Sequence, residues 1–151
     1  VVGSRHRSDQ FRGLPMTRDE IRMAEERARA EMDLILGEND ATYEFFREHL
    51  RRFVMAKYSL DSSDCEETDN LERLSEISLS KALKVSRDLI ADYEAGQNCE
   101  GATSATVKRS LLIVKIQREL SIKFSLQDLM EITTLDDVIR LAWLRYRGES
   151  V

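Results

Sequence analysis

The chain has 151 residues and a mass of 17.5 kDa, enough for one domain with its own core, or a small domain with an arm, without metal or disulfide staples. One proline and six glycines argue against a sandwich or barrel of many short strands, and unbroken apolar runs no longer than that of Leu111-Leu112-Ile113-Val114 are far too short to span a bilayer. Lys and Arg number 23 against 28 Asp and Glu, giving a net charge of −5, a balance that speaks against a general nucleic-acid binder.

Residues 1 to 18 carry Arg5, His6, Arg7, Arg12 and Arg18 against the single acid Asp9. This basic arm fits either the remains of an organellar (mitochondrial or plastid) targeting segment or a disordered tail, and the opening Val1 fits a fragment or a processed protein. Thr17-Arg18-Asp19-Glu20 reads as a capping box opening a helix to Leu36, with Gly37 as its C-terminal cap. The apolar stripe Ile21, Ala24, Ala28, Met32 and Ile35 is narrow. Such a helix is expected to dock on another surface rather than lie at the centre of a core.

A second helix is predicted over 41 to 58, where Tyr43, Phe46, Leu50, Phe53, Val54 and Lys57 recur at three-and-four spacing. His49, on the flank of that face, reads as a packing or surface residue. Residues 59 to 70 read as a solvated acidic loop with Asp61, Asp64, Glu66, Glu67 and Asp69. Counted from Asp61, the loop fails as an EF-hand, because the sixth position, which must turn on glycine, is Glu66.

A third helix is predicted over 78 to 95, with Leu79, Leu83, Ser86, Ile90 and Tyr93 on one face and Gly96 closing it. A loop over 97 to 103 leads to a fourth helix over 106 to 120. Its apolar arc of Val107, Leu111, Leu112, Val114, Ile116 and Leu120 is wide, so it is expected to be the most buried. Ser125-Leu126-Gln127-Asp128 opens a short turn through Met130. Thr134-Leu135-Asp136-Asp137 then caps a last helix carrying Leu135, Val138, Ile139, Leu141, Ala142 and Trp143. The expected fold is all-α, with an arm and docking helix over 1 to 40 and a helical bundle over 41 to 147.

Catalytic constellations are scarce. The sequence contains no GxSxG, Walker loop, dinucleotide fingerprint or HExxH, and His6 and His49 are its only histidines. Cys65 and Cys99 lack CxxC or Cys/His spacing, so neither a disulfide framework nor a zinc site is expected, and a reducing, intracellular compartment fits. This inventory favours a binding or carrier protein over an enzyme.

The stretch from Leu112 to Ile139 resembles the back half of an acyl or peptidyl carrier protein. It runs through an amphipathic helix ending at Gln117-Arg118-Glu119-Leu120. The apolar connector Ile122-Lys123-Phe124 and the short helix at Leu126-Gln127-Asp128-Leu129-Met130 come next, and a Thr133-Thr134 cap opens the final helix. Leu71-Glu72-Arg73-Leu74-Ser75-Glu76-Ile77-Ser78-Leu79 is similar to the family's approach to its modified serine. Leu74, Ser78 and Leu79 match, whereas Ser75 and Ile77 stand where the family has Gly and Asp. The resemblance implies a carrier-protein-like bundle with an extra N-terminal helix and one inserted helix.

In the family, a serine at the start of the second helix bears 4'-phosphopantetheine, whose thiol carries an acyl group. Here the resemblance places that position at Ser78 counting from the front. The alternatives are Thr106, counting back without gaps from Thr133-Thr134, and Ser104, in the lead-in Gly101-Ala102-Thr103-Ser104. Ser78 reads equally as a plain helix cap. Carriers of the family present an acidic helix to basic enzymes. Here the helix over 106 to 120 carries Lys108, Arg109, Lys115 and Arg118 against Glu119, which disfavours the usual fatty-acid synthase partners. The expectation is a divergent carrier-like protein acting as a non-catalytic interaction or structural subunit. It would meet protein partners through the N-terminal helix and exposed basic helix faces. The alternative is a working carrier modified on Ser78.

Overall fold

In a computed structural model, residues 16 to 83 and 103 to 148 are described. They form seven helices and no strand: α1 (Arg18–Gly37), α2 (Tyr43–Tyr58), α3 (Ser62–Glu67), α4 (Leu71–Leu83), α5 (Ser104–Leu120), α6 (Leu126–Glu131) and α7 (Leu135–Tyr146). The all-α class expected from the sequence holds for the described residues.

Short polar side chains set the helix starts. Thr17, Thr42, Asp61, Thr103, Ser125 and Thr134 each accept a hydrogen bond from a first-turn backbone N–H, satisfying a donor the helix itself cannot. The boxes at Ser125/Asp128 and Thr134/Asp137 are reciprocal, as the sequence predicts, whereas at α1 only the Thr17 half is made, at 3.1 Å from Glu20 N. Gly37 is the last residue of α1 rather than its cap; Glu38, in extended conformation, takes that place.

The core gathers around α2, whose Phe46, Leu50, Phe53, Val54 and Tyr58 are buried. Leu135, Val138, Ile139, Leu141 and Ala142 of α7 close one side, and Leu112, Ile113, Ile116 and Leu120 of α5 another. Phe124, in the extended connector after α5, is buried too, and its N–H donates to Gln117 Oε1 at 2.8 Å. The starts of α4 and α7 are tied by a single antiparallel bridge, Asn70 to Thr134. Leu71 N donates to Thr133 O and Leu135 N to Asp69 O, both at 2.9 Å.

The narrow stripe of α1 lies along α2 of the same chain. Ala24, Ala28, Met32 and Ile35 are buried there, the two alanines leaving room for close approach. Charged pairs flank the seam: Lys57 Nζ sits 2.9 Å from both Glu25 oxygens, and His49 Nδ1 lies 2.6 Å from Glu31.

Several sequence expectations are corrected. The acidic loop after Tyr58 contains a one-and-a-half-turn helix, α3, because Asp61 and Asp64 cap each other's backbone N–H groups. Lys81 then bonds Asp64 and, at 3.1 Å, the Ser59 carbonyl, holding this connection against α4. The helix predicted to open at Ser78 begins at Leu71, seven residues earlier, where Asn70 Oδ1 accepts from Arg73 N at 3.0 Å. The rest of that predicted helix and Gly96 lie outside the described residues, as do residues 97 to 102. α5 is not buried all round: Val107, Leu111 and Val114 are 50%, 63% and 41% exposed. Their spacing puts them on one outward stripe of the helix.

Candidate functional site

The three hydroxyls that the resemblance offers as candidates for modification are treated very differently by the fold. Ser78 is the eighth residue of α4 and only 4% exposed, so it caps nothing and lies in the interior of the helix. A cap lost to alanine costs about 1 kcal/mol, whereas a mid-helix Ser exchanged for the better helix former costs nothing of that kind. Ser78→Ala is therefore expected to cost less in chemical denaturation than the about 1 kcal/mol of a lost cap.

Ser104 and Thr106 stand together in the first turn of α5. Ser104 is exposed and is the first helical residue after the cap Thr103. Thr106 is half-buried; its Oγ1 donates to Glu72 Oε1 of α4 at 2.7 Å, and the Thr103 hydroxyl also reaches Glu72, at 3.4 Å. The Glu72 carboxylate thus already occupies the end of α5, where free N–H groups and the helix dipole favour negative charge. Within the described residues, Ser78 is not in that turn, so the fold separates the forward and backward counts.

A second constellation joins residues that no local motif connects. Between α1 and α5 runs a groove whose walls also take in the end of α2 and a part of α4. Two adjoining cavities, about 320 and 250 Å³, share Glu25, Lys57, Tyr58 and Lys108; the larger reaches Leu111 and Lys115, the smaller Ile21 and Ser78. The same two helices, α1 and α5, are also tied by an ion pair, Arg29 Nη1 to Glu119 at 2.7 Å.

The charges in this groove are unevenly matched. Lys57 pairs with Glu25, and Lys115 pairs with Glu119 at 3.0 Å. Burial raises the pKa of the Glu119 carboxyl, but hydrogen bonds from Lys115 and Arg29 outweigh it and hold the group below the ordinary glutamate value. Lys108 has no carboxylate within ion-pair distance among the described residues. Its ammonium lies over the Tyr58 ring, 5.2 Å from the centroid. Burial, reinforced by the like charge of Lys57, holds Lys108 below the ordinary lysine pKa. Tyr58 beneath it stays neutral, its phenol pushed up to about 12 mainly by burial. The Tyr58 hydroxyl bonds Ser75 Oγ at 2.8 Å, whose proton goes to the Leu71 carbonyl at 2.9 Å.

The sequence offers one signal for this groove. Lys57 stands at a position where the α2 periodicity demands an apolar side chain, and such a mismatch marks a place where a charge is wanted. Lys108 carries no such mark, because its significance depends on Lys57 and Tyr58, fifty residues away along the chain.

A second exposed apolar area lies on α6, where Leu126 and Met130 are 75% and 74% exposed. Among the described residues no three His, Cys, Asp or Glu side chains are placed to hold a metal, and no helix is long and apolar enough to cross a membrane. The chain matches no family model, no curated protein and no solved structure.

Proposed function

We propose that this chain is a divergent carrier-like helical module that acts by binding other proteins, as a non-catalytic interaction or structural subunit. The observation that carries the reading is the outward apolar stripe Val107, Leu111 and Val114 of α5, with the separate Leu126 and Met130 of α6. Large apolar side chains held outward at helical spacing, on a chain whose caps and core are otherwise well matched, mark surfaces that another protein covers. The burial of Ser78 and the Glu72 carboxylate at the start of α5 support the same reading. A phosphate attached there would be placed against an existing negative charge.

The second reading is a working carrier. The exposure of Ser104 at the opening of a seventeen-residue helix favours it, and moves the arm's attachment from Ser78 to Ser104.

Co-purification of the tagged full chain from its native cells tests the first reading. Wild type is expected to bring down a stoichiometric partner that Leu111→Glu combined with Leu126→Glu loses, while the thermal unfolding of the variant stays within a few degrees of wild type. Equal recovery with both proteins, or no partner with wild type, would overturn it.

A further inference from the structure

The charges of the groove between α1 and α5 sharpen the interaction reading and say what kind of partner it takes. Resting on that reading, we infer that this groove takes an acidic amphipathic helix of a partner protein. A Glu or Asp side chain of that helix would lie between Lys57 and Lys108, and an apolar side chain one turn away would lie against Leu111. Charge balance is the first reason. Lys57 and Lys115 each have a carboxylate of this chain, Glu25 and Glu119, but Lys108 has none among the described residues, though it is partly buried and faces another lysine. Ammonium groups withdrawn from water are ordinarily paired, and a carboxylate brought by a partner supplies the pair.

The surface around that charge is the second reason. Leu111 is 63% and Ile21 is 50% exposed, on opposite walls of the groove, so an apolar strip runs beside the lysines. The chain as a whole carries −5, yet α5 holds Lys108, Arg109, Lys115 and Arg118 against the single acid Glu119. An acidic helix is steered to this face and repelled from much of the rest. An apolar helix without acids would leave Lys108 without a carboxylate, and a basic one would add a third like charge.

A displayed library of random peptides, each long enough for four helical turns and selected on the full chain, tests this directly. Enriched peptides are expected to carry Glu or Asp three or four positions from Leu, Ile or Phe. Their affinity should fall roughly tenfold or more on Lys108→Glu and on Leu111→Glu. It should be unchanged on Leu126→Glu, and a Glu-to-Lys exchange in the peptide should restore binding to Lys108→Glu. Leu111 is exposed, so its substitution tests the groove even if Lys108→Glu unfolds the chain. Binders without an acidic residue, or binders indifferent to both groove variants, would overturn the inference while leaving the interaction reading standing. A library that yields no binder would count against both.

Discussion

Replacing Phe46 with alanine is expected to cost about 3 to 5 kcal/mol, the usual range for deleting a fully buried phenyl group. Phe46 is wholly buried, and it holds two aromatic neighbours in place. Its ring lies 5.1 Å from Trp143 and stacks on Tyr146 at 5.5 Å. Removing it leaves a cavity where α2 meets α7, and neither neighbour can fill the space without leaving its own contacts. Because a domain of this size has a total stability of about 5 to 15 kcal/mol, one substitution removes a large share. Trp143 is the only tryptophan, so its fluorescence reports the change directly. The expected result is a large fall in the urea midpoint with little change in the m-value. A loss below about 1 kcal/mol would mean that α2 and α7 do not pack as described. Leu126→Ala, at a 75% exposed position, is the control and should stay within about 0.5 kcal/mol.

The second large effect is at Asp128. This carboxylate is buried, accepts two hydrogen bonds from Arg145, each 2.8 Å long, and completes the capping box of α6 with Ser125. Asp128→Asn keeps the shape but removes the charge and the second acceptor oxygen, and is expected to cost about 2 to 3 kcal/mol at neutral pH. The pH dependence follows from the same contacts. The hydrogen bonds from Arg145, with those from Ser125, hold the Asp128 pKa below its ordinary value of 3.8 in the folded chain. The unfolded chain therefore binds this proton first as pH falls. The stabilisation from Asp128 is complete above the ordinary aspartate range and is lost as pH drops through the lower, folded value. Asp137 moves in the same direction: burial opposes the shift, but the Thr134 and Thr133 N–H groups outweigh it. Denaturation series at successive pH values should show wild type losing stability steeply below about pH 4. The gap between wild type and Asp128→Asn should close over the same interval. A gap that is constant across that interval would show that the charge of Asp128 contributes nothing.

Much of the architecture is legible in the sequence because its causes are local. A Thr or Ser hydroxyl followed three residues later by an acid is enough to place the starts of α6 and α7, and the cap Thr17 places α1. The three-and-four spacing of Phe46, Leu50, Phe53 and Val54 is enough to choose the buried face of α2. The misreadings share a different origin. Ser78 looks like a cap when only its following apolar residues are weighed. The actual start is fixed by Asn70 and by the bridge to Thr134, more than sixty residues away. The wide apolar arc of α5 predicts deep burial, but arc width does not say how many neighbours exist to cover it, and Val107, Leu111 and Val114 stay outside. The groove is the least legible feature, because Glu25, Lys57 and Lys108 acquire their meaning only when three helices meet.

The central claim, a non-catalytic interaction module, is tested most directly by the intact mass of the full chain after incubation with coenzyme A and a broad-specificity phosphopantetheinyl transferase, with peptide mapping. Such a module predicts an unchanged mass, with Ser78 only 4% exposed in the middle of α4, away from any helix start, and the Glu72 carboxylate held against the Thr106 hydroxyl at the start of α5. Addition of one phosphopantetheine arm to Ser78, Ser104 or Thr106 would contradict it and make the chain a working carrier.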